Sequence, residues 1–77
     1  MTTEEIRQYI EDQKRIAKEM GKNALVLRSG DVHKDLGLKD RCPSVCNAMR
    51  QCMKSCDVII HQPPKGNGRT LVIEYKL

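Results

Sequence analysis

An α+β fold is predicted, with three helices and a small antiparallel sheet in the order helix, strand, helix, helix, strand, loop, strand. Three observations predict it. Residues 57–77, DVIIHQPPKGNGRTLVIEYKL, place two alternating apolar runs around a tip, PPKGNGR, rich in turn formers; this is the pattern of a β-hairpin. Residues 3–21 repeat apolar side chains at helical spacing. Two shorter segments, beginning at Ser29 and at Cys42-Pro43, open with residues that start helices.

Along the chain, Thr3 is expected to cap the first helix. Glu4 and Glu5 complement its positive end, and Gly21 stops it. Ile6, Ile10, Ala17 and Met20, with Gln13 between, form its apolar stripe, widened by Tyr9 and Ile16. Ala24-Leu25-Val26-Leu27 is too short for a helix and reads as a buried strand that joins the hairpin sheet. Ser29 is the expected cap of a second helix, with Val32 and Leu36 on one face and Gly37 at its end. His33 is placed on the exposed side of that helix. Pro43 suits the first turn of a third helix, where its missing N–H costs nothing. Val45, Met49, Cys52, Met53 and Cys56 form the predicted inner face of that helix, and Ser44, Asn47, Gln51 and Lys54 the outer one, with Arg50 at its edge. In the hairpin, Val58 and Ile60 share the core face with Leu71, Ile73, Tyr75 and Leu77, and Gly66-Asn67-Gly68 supplies positive-φ positions. A hairpin alone is marginal in water, so this face must rest on the helices.

Seventy-seven residues make one domain, residues 1–77, near the lower size limit for folding on a hydrophobic core. Charged residues at 31% and apolar residues at 39% suit a globular domain rather than a disordered tail. No apolar run reaches membrane-spanning length and MTTEEIRQYI does not read as a signal peptide, so a cytoplasmic location without membrane contact is expected. The formal charge is +4. Residues 1–22 are balanced, whereas residues 39–69 hold Lys39, Arg41, Arg50, Lys54, Lys65 and Arg69 against Asp40 and Asp57. The whole excess therefore falls on the third helix, its approach and the hairpin tip, as on a surface that neutralises phosphates. Tyr9 and Tyr75 are the only aromatic residues, too few for single-strand binding by stacking.

Two short helices joined by a glycine-containing turn have helix-turn-helix geometry. The chain resembles the winged helix-turn-helix superfamily over nearly its whole length. More narrowly it looks like small stand-alone prokaryotic winged-helix proteins, through Ser29-Gly30-Asp31-Val32-His33, Pro43 to Met49, and Gly66-Asn67-Gly68. That resemblance implies double-stranded DNA as partner, with the third helix in the major groove and residues 63–69 as the wing. A small transcriptional regulator or a DNA-processing accessory factor is the function it implies, although winged helices also dock proteins.

The candidate contacts follow from side-chain chemistry. Asn47 and Gln51 can pair bidentately with adenine and Arg50 with guanine, while Ser44 serves a base or a phosphate. Lys54 continues that face toward phosphate, and Lys39 and Arg41 extend the basic approach. At the tip, Lys65, Asn67 and Arg69 surround glycines that permit close backbone approach, with Arg69 suited to a narrow minor groove. An amphipathic surface helix has a polar outer face in any case, and a charged hairpin loop keeps an edge soluble.

Cys42, Cys46, Cys52 and Cys56 are symmetrically spaced, but along one helix they span about 20 Å, too far for one tetrahedral ion. Cys46, Cys52 and Cys56 fit the core face and Cys42 the helix entry, so neither metal nor cofactor is expected. A cysteine-based metal or redox sensor stays open as the remaining alternative. No nucleophile–base set, phosphate loop or carboxylate pair appears, so an enzyme is not expected. A protein-interaction module using the balanced first helix as a dimer or partner face is the second alternative.

Overall fold

The computed structural model describes all residues from Met1 to Leu77. Its elements are α1 (Thr3–Glu19), β1 (Ala24–Arg28), α2 (Ser29–Asp35), α3 (Cys42–Gln51), β2 (Val58–His61) and β3 (Val72–Lys76). The strands form one antiparallel sheet in the order β1-β3-β2. The α+β class, the three helices and the three-stranded sheet are therefore as the periodicities predict.

The core is a cluster in which α1 contributes Ile6 and Ile10, and α2 contributes Val32. Val45, Cys46, Ala48, Met49 and Cys52 come from α3 and its end, and Leu71, Ile73 and Tyr75 from β3 and its approach. β3 is the central strand, with Ile73 and Tyr75 pointing at the helices, so α1 and α3 pack over one sheet face. Tyr75 ties the layers: its hydroxyl donates to the Met49 carbonyl at 2.7 Å, and the Lys14 ammonium lies 4.4 Å from its ring centroid.

Several local expectations are corrected. Thr2, not Thr3, caps α1: its hydroxyl accepts from the Glu5 N–H while the Glu5 carboxylate accepts from the Thr2 N–H, a reciprocal capping box. Lys14 is buried in the stripe of α1, whereas Ile16 and Met20 are exposed. The buried ammonium is satisfied by the Cys52 carbonyl at 2.7 Å and the Glu11 carboxylate at 3.2 Å. Ser29 is not a cap but a fully buried residue inside α2, where its hydroxyl donates to the Gly68 carbonyl and accepts from the Leu71 N–H. The first amides of α2, those of Ser29 and Gly30, donate instead to the carbonyls of Leu71 and Arg69. His33 is buried rather than exposed, and its Nε2 accepts from the Arg41 N–H at 3.2 Å.

α3 ends at Gln51, so Cys56 falls outside it and is exposed. The buried carboxylate of Asp57 organises the turn that follows, accepting from the backbone N–H of Lys54 at 2.8 Å and of Lys76 at 2.7 Å. β2 is exposed along its length, and Val58 and Ile60 do not face the core. Val58 lies opposite Glu74 and Ile59 opposite Ile73, so it is Ile59 that turns toward the helices. A register shift between Ile59 and His61 then bends the strand. At the tip only Gly66 has positive φ, +81°.

Candidate nucleic-acid interface

Burial on α3 fixes which way the helix is turned. Val45, Cys46, Ala48 and Met49 are buried, which leaves Pro43, Asn47 and Gln51 exposed and Ser44 and Arg50 half-buried at the margins. Four of the sequence-derived contacts (Ser44, Asn47, Arg50 and Gln51) thus lie on or beside one ridge, as a 100° helical step requires. Asn47 occupies its centre, exposed, and its side chain makes none of the hydrogen bonds that engage Gln51 and Arg50 beside it.

The two flanks of the ridge are locked. On one side the Arg50 guanidinium donates to the Asn67 amide oxygen at 2.8 Å and to the Gly66 carbonyl. On the same side the Cys46 thiol donates to the Gly68 carbonyl at 3.2 Å and accepts from the Gly68 N–H at 3.5 Å. Residues 63–69 are therefore fastened along α3, and Arg50 is a clamp rather than a free base-reading side chain. On the other side Arg7 of α1 donates to the Gln51 side-chain oxygen at 2.9 Å. Arg7 thereby joins the surface although nothing in its own segment of sequence singles it out.

The other candidates divide between locations. Lys65 and Arg69 project from the 63–69 loop and are exposed, as is Asn67. Arg69 faces an open groove of ≈ 580 Å³ shared with Arg28, His33 and Lys34. There the loop backbone meets α2 so closely that a Cβ on Gly30 would stand 2.8 Å from the Arg69 carbonyl oxygen. Lys39 and Arg41 are exposed in the link between α2 and α3. Lys54 does not continue the α3 ridge, because the helix has already ended. It lies instead with Lys14, Arg15, Lys18 and Lys76 in a second groove.

Neither α3 nor the 63–69 loop carries an acid. Between Arg41 and Leu77 only Asp57 and Glu74 are acidic, and Asp57 is buried in its own hydrogen bonds. Burial acts to raise the Asp57 carboxyl, but those hydrogen bonds together with the nearby Lys14 charge outweigh it and lower it from its ordinary value.

The cysteines are dispersed by the end of α3: Cys46 and Cys52 are buried, Cys42 is half-buried and Cys56 exposed. No three His, Cys, Asp or Glu side chains come together as a metal ion would need. Burial, reinforced by the charge of Glu11, pushes the Cys52 thiol up to about 11, so it is a neutral core residue at physiological pH. No helix is long and apolar enough to cross a membrane. No protein-family model, curated protein or solved structure matches the chain.

Proposed function

We propose that the protein is a winged-helix module that binds duplex DNA, with α3 entering the major groove and residues 63–69 acting as the wing. A small transcriptional regulator or a DNA-processing accessory factor is the role that fits. The element order and the β1-β3-β2 sheet agree with this reading. One observation carries it: an acid-free ridge centred on Asn47 is joined to a basic loop through Arg50, so that helix and loop present one rigid surface. Preorganisation of this kind lowers the entropic cost of docking on a duplex. In this arrangement Asn47 reads a base edge, and Lys65, Arg69 and the link residues Lys39 and Arg41 meet phosphates.

The test is binding to a mixed duplex pool as a function of salt. Lys65→Ala combined with Arg69→Ala should weaken binding about uniformly across sequences and flatten the slope of log K against log salt by up to about two units. An unchanged slope removes the wing from the interface. Absence of salt-dependent binding in the unaltered protein removes duplex DNA altogether.

Docking to another protein is a second reading with one observation in its favour. Val26, Val58 and Ile60 are 53%, 50% and 57% exposed. Val26 and Val58 both flank Glu74 on the outer sheet face. Partner binding that survives high salt and is lost in Val58→Lys would favour this reading.

A further inference from the structure

The second groove is built from three separate parts of the chain. Lys14, Arg15 and Lys18 come from α1, Lys54 from the turn after α3, and Lys76 from the end of β3. It is an open hollow of ≈ 270 Å³. Five cations line it against a single carboxylate, Glu11, which is already paired with Lys14 at 3.2 Å.

Two buried devices hold these cations together. The Asp57 carboxylate accepts from the backbone N–H groups of both Lys54 and Lys76, which ties those two residues, both lining the groove, to one point of the fold. The Lys14 ammonium is anchored from below by the Cys52 carbonyl and the Tyr75 ring, and it forms the floor. Lys18 and Lys54 have no carboxylate within 4.0 Å. Arg15 and Lys76 do have lateral partners, Asp12 and Glu19 at 3.7 and 3.5 Å and Glu74 at 2.8 Å. Such exposed pairs contribute about 0–1 kcal/mol and yield to a stronger ligand. Like charges gathered around one hollow raise the local potential and attract a multiply charged anion.

We propose that this groove is a phosphate-binding site, with Lys18 and Lys54 as the principal ligands, Lys76 and Arg15 as the rim and Lys14 as the fixed positive floor. Its occupant presents two or three phosphate charges together, as a polyphosphate or successive phosphates of a nucleic-acid backbone do, since several cations line one small space and a single monoanion would leave most of them unneutralised. The site does not depend on duplex binding by α3. The phosphate belongs either to a free phosphorylated molecule or to the backbone of a nucleic acid that extends past α3.

The experiment is an amide NMR titration of the whole protein with inorganic tripolyphosphate, at a fixed ionic strength of about 0.15 M so that unspecific attraction is screened. Amides of Lys14, Arg15, Lys18, Lys54 and Lys76 should shift together and saturate, while those of Lys65 and Arg69 stay in place. Lys18→Gln combined with Lys54→Gln alters exposed side chains only and should leave the spectrum folded. It should weaken tripolyphosphate binding at least about tenfold, the equivalent of 1.4 kcal/mol and of one lost charge-assisted contact. A parallel titration with a mixed duplex assigns the source. Duplex that shifts the groove amides and is displaced by tripolyphosphate makes the phosphate that of the nucleic acid. Duplex that leaves them unmoved makes it that of a free molecule. Shifts that fail to saturate, that spread over every Lys and Arg alike, or that persist unchanged in the double variant overturn the proposal.

Discussion

On the duplex reading, Asn47 is the residue on which base recognition would depend. It stands at the centre of the α3 ridge, exposed, while both neighbouring polar side chains are engaged by Arg7 and by the 63–69 loop. Asn47→Ala should therefore cost about 1–3 kcal/mol of affinity on a preferred duplex and little on unrelated ones, as measured by competition binding. Its melting temperature should match that of the unaltered protein, because the position is exposed. An equal loss on all sequences would make Asn47 a phosphate contact. Gly30 works at the same scale but through sterics. Its α-hydrogen stands where a methyl group would meet the Arg69 carbonyl oxygen and the Arg28 guanidinium, both at 2.8 Å. The carbonyl is backbone and cannot swing aside, so Gly30→Ala should destabilise by about 1–3 kcal/mol in chemical denaturation. A neutral result would mean that α2 and the loop separate easily.

At the scale of elements, the joint between α3 and the 63–69 loop is the feature with most consequence. The loop lacks an apolar anchor of its own beyond the buried Pro63, and it holds its place through Arg50, Cys46 and Ser29. Arg50→Ala removes two of these bonds and leaves the core face of α3 intact. Amide exchange at Gly66 to Gly68 should accelerate markedly, with protection within α3 unchanged. If both segments lose protection together, Arg50 stabilises the helix itself and the loop is carried along. On the duplex reading, the same variant should weaken binding by ordering cost more than by lost charge, which Arg50→Lys distinguishes: it keeps the charge but lacks the planar fork.

For the whole molecule, the layer between α1, α3 and β3 contains two acids held neutral by burial. Burial raises the Tyr75 hydroxyl well above its ordinary value of 10.0, and raises the Cys52 thiol from 9.0 to about 11. In both cases the folded pKa exceeds the unfolded one. Their contribution is thus complete below about pH 9 and is lost as pH rises toward the folded values. Denaturation midpoints should hold steady from pH 7 to about 9 and then decline, and Cys52→Ala should flatten the first part of that decline. A flat profile to pH 11 would mean that this layer admits water.

The helices, the strands and most of their ends were legible in the chain because they rest on local physics. The apolar repeats of α1 and α3, Pro43 in the first turn of α3 and the glycines after α1 and α2 act within a few residues. The placement of Val45, Met49, Ile73 and Tyr75 in the core follows from the same periodicity. What periodicity could not supply was any property set by residues far apart in sequence. Ser29 meets Gly68 and Leu71 across 39 and 42 residues, and Lys14 meets Cys52 across 38. A serine beside a helix start reads locally as a cap, and a lysine in an apolar stripe reads as its polar edge. Val58 and Ile60 alternate as a core strand does, yet the face they present depends on where α1 and α3 lie over the sheet. The balanced charge of residues 1–22 likewise conceals the cations that α1 turns toward Lys54 and Lys76, since a net sum carries no direction. Local chemistry dictated the elements; long-range packing assigned their buried faces and brought together the charges on which the two candidate sites rest.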